Sequence, residues 1–297
     1  MSQNSGDTPA GLGFALGAYF LWGFLPLYMK MVSHMSAAEV VAHRVIWSVP
    51  IAAVVLILLK RTGDLMAALR SPRMLAMGCV TAALVSINWG IYVWAIASDQ
   101  TVDAALGYYI NPLFSVVLGA LVLRERVTRL QLVAIGLAAI AVAVLIWQAG
   151  SVPWVAVGLI LSWGLYALAK KQLPIGPNQG FMLEVLILLI PAIVYATWMS
   201  ADGQGHFLAT GLNDTLLLLG CGAVTAVPLL LYANGAKGLR LTTIAILGYL
   251  APTLIFLIAV FVFKEPLDQG RLMAFPMIWT ALVIYSVSMI REMRAAA

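Results

Sequence analysis

Cysteine and histidine are almost missing from this chain: two cysteines, Cys79 and Cys221, and three histidines, His34, His43 and His206, all widely scattered. So sparse a set offers no zinc constellation. Charge is scarce too, at 10% of residues, where a soluble domain carries about 25%. There is no G-x-x-x-x-G-K-[ST] loop, no G-x-S-x-G elbow and no H-E-x-x-H pair, so neither nucleotide hydrolysis nor the familiar hydrolase chemistries are expected. The chain is read as a non-enzyme that needs no cofactor. Its net charge of +5 is not gathered into a basic stripe, which excludes a nucleic-acid partner. Residues 1–9 lack a positive n-region, so the first apolar run is read as an uncleaved helix.

What remains is apolar: 63% of residues, with a mean hydropathy of +0.99. Runs of about 20 apolar residues are the length that crosses a bilayer as a helix. Ten are expected: Ala10–Met31, Ala37–Leu59, Met74–Ser98, Val102–Leu123, Leu130–Trp147, Pro153–Ala169, Asn178–Met199, Thr215–Ala236, Leu241–Phe263 and Gly270–Met289. Stretches such as Ile51–Leu59 do not alternate apolar with polar, which argues against a membrane β-barrel. The polar connections Lys60–Arg73 and Ser200–Asp214 are too short to fold alone.

The chain also repeats itself. At an offset of about 140 residues, Gly17, Trp22, Gly23, Lys30 and Pro50 fall on Gly158, Trp163, Gly164, Lys171 and Pro191. Tyr92, Tyr109, Pro112 and Glu125 fall likewise on Tyr232, Tyr249, Pro252 and Glu265. Two five-helix units follow, residues 1–149 and 150–297, and an odd number of helices forces the second to be inverted. With both termini cytoplasmic, Lys60, Arg61, Arg70, Arg73, Arg124, Arg126, Arg129, Lys170, Lys171, Lys237, Arg240, Arg291 and Arg294 lie inside, against Lys30, Lys264 and Arg271 outside. That bias obeys the positive-inside rule. Inversion puts Cys79 and Cys221 toward opposite faces, so no disulfide is expected. The fold class is therefore an all-α integral membrane protein of ten helices in two inverted repeats, an architecture suited to alternating access.

Polar groups inside spans are costly and mark candidate function. Glu39, His43 and Trp47 share one face of the second run, with Arg44 and Ser48 beside them. A guanidinium keeps its charge, so Arg44 must face a wet cavity, a carboxylate, backbone carbonyls or an anionic ligand; packing and substrate roles both stay open. His43 and Glu184 are equivalent under the repeat and are candidates, with Glu39, for proton coupling or gating. Pro26, Pro50, Pro112, Pro191, Pro228 and Pro252 interrupt spans and are candidate hinges. Trp22, Trp163, Tyr109 and Tyr249, with Asn88, Asn111, Ser115 and Thr253, are candidate lining for a cavity that takes amphipathic solutes, and His43 and Arg44 are candidates to touch the solute as well.

The segments Ala18–Gly23, Glu39–Ser48, Ile87–Trp89, Leu106–Leu113 and Gly248–Thr253 resemble the RarD branch of the EamA transporters, in the drug/metabolite transporter superfamily. Tyr109 and Ala251 depart from the residues that branch leads one to expect, Phe and Gly. The resemblance implies a bacterial inner-membrane secondary transporter, usually an exporter, with substrates elsewhere in the superfamily ranging from amino acids and aromatic metabolites to nucleotide sugars. The expected partners are a small-molecule substrate and the lipid bilayer. Helices five and ten are expected outside the cavity, for packing or a homodimer. A passive facilitator of the same fold and a non-transporting scaffold are the alternatives.

Overall fold

The computed structural model describes residues 8–122, 124, 127–235, 238–239 and 241–296. Glu125, used for the repeat, and Arg126, Lys237 and Arg240, used for the charge bias, lie outside the described residues, as do Leu123 and Ala236 at the ends of two expected spans.

The helices are α1 (Pro9–Met31), α2 (Ala37–Leu58), α3 (Thr62–Leu69), α4 (Pro72–Ala97), α5 (Thr101–Val122), α6 (Arg129–Ala149), α7 (Trp154–Gln172), α8 (Pro177–Ala201), α9 (Leu212–Gly235), α10 (Leu241–Leu247), α11 (Leu250–Leu257) and α12 (Gln269–Ala296). A π-helical turn, Ile258–Val262, extends α11. No strand occurs among the described residues. Eight of these helices, α1, α2, α4, α5, α6, α8, α9 and α12, are long and apolar enough to cross a membrane. Helix α7 has 19 residues and ends on Lys170 and Lys171. The short α3 forms within the polar connection after α2.

The ninth expected span, Leu241–Phe263, is not one helix. It breaks between α10 and α11 at Gly248 and Tyr249. Pro252 weakens the helix there, since it has no N–H for the Gly248 carbonyl and its ring crowds that carbonyl. The Tyr249 N–H turns back to Ile246 O at 3.2 Å, a tighter closure than the α-helical bond. Pro26, Pro50, Pro112, Pro191 and Pro228 sit within helices that run on uninterrupted.

Helix starts follow the sequence. Thr8, Ser36 and Ser71 accept the N–H three residues on, and Thr128 forms a reciprocal capping box with Gln131, satisfying donors that the helix itself leaves open. Ser36 and Glu39 have the spacing of a capping box as well, but the Glu39 carboxylate is engaged elsewhere, as described below.

Helix α2 packs on α8 and α9, α1 on α9 and α11, α7 on α4 and α5, and α6 on α12. Glycine allows the closest of these approaches. A Cβ on Gly222 of α9 would collide with the carbonyl carbon and oxygen of Trp47 on α2. Outward faces stay apolar, with Phe20, Leu58, Leu121, Ile190 and Phe261 at least half exposed, a surface that hydrocarbon, not water, accommodates.

Gly222→Ala is expected to lower stability by about 1–3 kcal/mol, the usual cost of overpacking. Gly136→Ala, whose added methyl meets nothing within 4 Å, is expected to leave it unchanged or slightly raised. Thermal unfolding of the detergent-solubilised variants checks the contrast.

Candidate functional site

A cavity of about 590 Å³ lies between α1, α2, α4, α5, α7, α8, α9, α10 and α11; α3, α6 and α12 contribute nothing to its lining. Its exposed lining residues are Ser115 on α5 and, where α7 ends and α8 begins, Lys171 and Pro177. Of the residues expected from sequence, Trp22, Arg44, Asn88, Asn111, Trp163, Pro112 and Pro252 line it.

Arg44 is the one lining cation set deep in α2, at 3% exposure. Its Nε donates to Thr225 Oγ1 on α9 at 2.8 Å, and its guanidinium lies 4.7 Å from the centre of the Trp89 ring on α4. No carboxylate pairs with it among the described residues, and Nη1 has no hydrogen-bond partner. The neutral packing partners expected of a structural arginine thus cover one side of the group and leave the other.

Asn88 serves the scaffold. Its Oδ1 accepts from Tyr108 at 3.1 Å, and its Nδ2 donates to Ser162 Oγ at 3.0 Å, tying α4 to α5 and α7. Among the described residues Asn111 has no partner for either side-chain atom. Aromatic rings form two walls. On one, Trp22 stands 5.7 Å from Tyr19 and 5.5 Å from Tyr232; on the other, Trp163 stands 5.4 Å from Tyr166 and 6.4 Å from Tyr108. These spacings are those of edge-on and tilted ring pairs.

The structure does not bring Tyr109 and Tyr249 to the cavity. Successive helical residues are turned by about 100°, so Tyr108 faces inward while Tyr109 faces α11 and α12. There Tyr109 donates to Thr253 Oγ1 at 2.8 Å and packs edge-on against Phe275 and Trp279. Tyr249 packs within the same α5, α6 and α12 cluster.

Glu184 is 1% exposed and stands just behind the lining. Lys170, a lining residue, donates to it at 2.6 Å and Tyr166 at 3.2 Å. His43 lies apart, accepting from Trp47 Nε1 at 3.0 Å and stacking 5.0 Å from Phe207. Glu39 does not meet Arg44. Its carboxylate takes the His206 backbone N–H at 2.6 Å and lies 2.8 Å from His206 Nδ1, which pins the α8–α9 connection.

That contact belongs to a sealed end. His34 pairs with Asp214 at 3.2 Å, Arg271 with Asp103 at 2.9 Å and Lys30 with Asp99 at 2.5 Å. Tyr28 donates to the Leu217 carbonyl. Glu265 accepts the Thr101 and Val102 N–H groups, each at 2.8 Å, and so caps α5 from across the bundle. Sequence reasoning missed Trp89, Lys170, Asn178, His206 and the capping role of Glu265. A signal existed for the last: Gln100, just before α5, is a poor cap, so an acceptor had to come from elsewhere.

Among the described residues, an all-helical bundle with an apolar exterior around a polar-studded cavity is that of a multi-pass membrane protein, and its relatives make it a transporter. The EamA-like transporter family matches residues 9–147. Protein RarD of Streptomyces exfoliatus is 39% identical over 97% of this chain and 91% of its own, and protein RarD of Escherichia coli K12 is 36% identical over 97% of each. An uncharacterized transporter of Bacillus subtilis, YojE, is 38% identical over 98% of each. The chain belongs to the RarD branch of the EamA transporter family. One solved crystal structure superposes with a TM-score of 0.60 over 95% of this chain and 97% of its own, at 16% identity, a likeness of fold alone.

Cys221 is fully buried beneath the sealed end, while Cys79 is exposed. In a Cys79→Ser background, Glu39→Gln is expected to speed alkylation of Cys221 by N-ethylmaleimide about tenfold, since hydrogen bonds to a buried charge contribute about 1.5–3 kcal/mol. Mass spectrometry of the labelled protein reads the rate; an unchanged rate would show that Glu39 does not hold this end shut.

Proposed function

We propose that the protein is a bacterial inner-membrane secondary transporter that exports small amphipathic solutes by alternating access. In this reading residues 1–149 and 150–297 are inverted five-helix repeats, and the cavity is the transport site. The observation that carries it is a cavity with exposed lining residues at Ser115, Lys171 and Pro177, while ion pairs between the two halves join the bundle near His34, Glu39 and Asp103. A passive channel would need a continuous path, and the sealed end favours alternation.

Helix packing supports the repeat. Under exchange of halves, α1 on α9 becomes α7 on α4, α1 on α11 becomes α7 on α5, and α2 on α9 becomes α8 on α4; each of these contacts occurs. The open end carries Lys170 and Lys171, which the positive-inside rule assigns to the cytoplasm. The site would then face inward, ready to load cargo for export.

Glu184 is assigned to proton coupling. Its carboxylate holds Lys170 at the cavity wall, so protonating it would free that ammonium and change the charge the cargo meets. The test compares cells expressing the wild type, Arg44→Ala and Glu184→Gln at matched abundance, with the medium metabolites profiled. A solute enriched outside by the wild type and not by Arg44→Ala is expected, with its export collapsing when the proton gradient is dissipated. Enrichment that never exceeds the internal concentration would mean passive flux. A Glu184→Gln protein that exports with wild-type dependence on the gradient would remove Glu184 from coupling.

A further inference from the structure

We infer that the cavity is built for an amphipathic organic anion, a single carboxylate on an aromatic body, with Arg44 as the carboxylate seat. The inference rests on the transport reading above, which makes this cavity the cargo site.

The charge lining is one-sided. Arg44, Lys170 and Lys171 line the cavity, and no aspartate, glutamate or histidine does. The nearest carboxylate, Glu184, is already engaged by Lys170 and Tyr166. A cationic or zwitterionic cargo would bring an ammonium beside the Arg44 guanidinium, with no lining acid among the described residues to receive it. Arg44, by contrast, meets only the neutral Thr225 hydroxyl and the Trp89 ring. A guanidinium cannot discharge itself by losing a proton, and a carboxylate is its natural planar partner.

Orphaned polar atoms point the same way. Arg44 Nη1, the Tyr92 hydroxyl and the side-chain amides of Asn111 and Asn178 are buried without hydrogen-bond partners, and all four residues line this cavity. Buried polar groups are seldom left so, and four such residues in the lining of one cavity mark it as a place for a polar ligand. Between them they offer a charge-assisted donor, a hydroxyl and two amides, enough for one carboxylate and one further polar substituent. The two aromatic walls supply the remaining requirement, a flat apolar body.

The test uses four matched probes: 3-phenylpropionate, 3-phenylpropanamide, 3-phenylpropylamine and phenylalanine. Binding to purified protein is read by calorimetry, and flux of the same probes in proteoliposomes. The acid is expected to bind about tenfold or more tightly than the other three. Arg44→Gln is expected to erase that preference and Arg44→Lys to keep part of it. Thr225→Val, which removes only the hydroxyl that steadies Nε, covers the case in which Arg44→Gln fails to fold and is expected to weaken the preference severalfold.

Equal binding of amide, amine or phenylalanine overturns the anion assignment, as does no binding of any probe at about 10 mM. A preference that survives Arg44→Gln moves the seat to another residue and overturns this one. Flux of the amine or of phenylalanine without preference for the acid would leave transport standing and remove the anion. Tight binding of the acid without flux of any probe would do the reverse.

Discussion

A guanidinium that holds its proton at every accessible pH sits within an apolar bundle, and much of the site follows from it. Arg44 is almost wholly buried, and its polar contact is with a hydroxyl. An unpaired charge in such surroundings is costly unless water or an anion can reach it. The helices around Arg44 therefore cannot close into ordinary core, and they stand back as a cavity instead. Trp89 covers one face of the group and Thr225 fixes its Nε, so the position of the charge is set before any cargo arrives. Pre-set polar groups lose little freedom on binding, which is where much of a site's affinity comes from.

The opposite end handles charge by pairing. Lys30 has Asp99, Arg271 has Asp103 and Glu39 has His206, while Glu265 holds two backbone N–H groups. These fasteners are unequal. Asp99 is largely exposed, and a pair in that setting contributes little. Glu39 and Glu265 are buried, at 1% and 6% exposure, and each holds backbone donors that would be left open if it withdrew. The resistance of this end to opening is therefore concentrated in two carboxylates, both reaching from one half of the chain to the other.

Much of the fold was legible because an apolar run of about 20 residues has few solutions in lipid: its backbone must satisfy itself as a helix. Among the described residues all ten expected runs are largely helical, and the ninth is the one that breaks. Its Gly248 and Pro252 were visible, but five other prolines sit in unbroken helices, so composition alone could not say which would part. The site was less legible because spacing along a helix does not fix its rotation. Tyr108 and Tyr109 are adjacent in sequence and serve different neighbours. Recurrence also misled, since it favoured Tyr109 and Tyr249 for being repeated. Lys170 was read as a loop charge, although it reaches back into the cavity.

Under the inverted-repeat reading, the features proposed to meet cargo are those the two halves do not share. The counterpart of Arg44 is Val185 and that of Thr225 is Val85, both in one apolar cluster; the counterpart of Tyr108 is Gly248. Under the alternating-access reading, the walls trade conformations between halves while a single charged seat stays on α2. Cargo then keeps the same guanidinium in both states, and what changes is the side from which it can be reached. The paired prolines fit that division. Pro112 lies in a continuous helix whose start is clamped by Glu265, while its counterpart Pro252 follows a break in a helix at the open end. If the halves are inverted repeats that alternate, one motif held in two shapes is what an asymmetric state requires, and that reading would put the moving parts in the fourth helix of each repeat, away from the charge on α2.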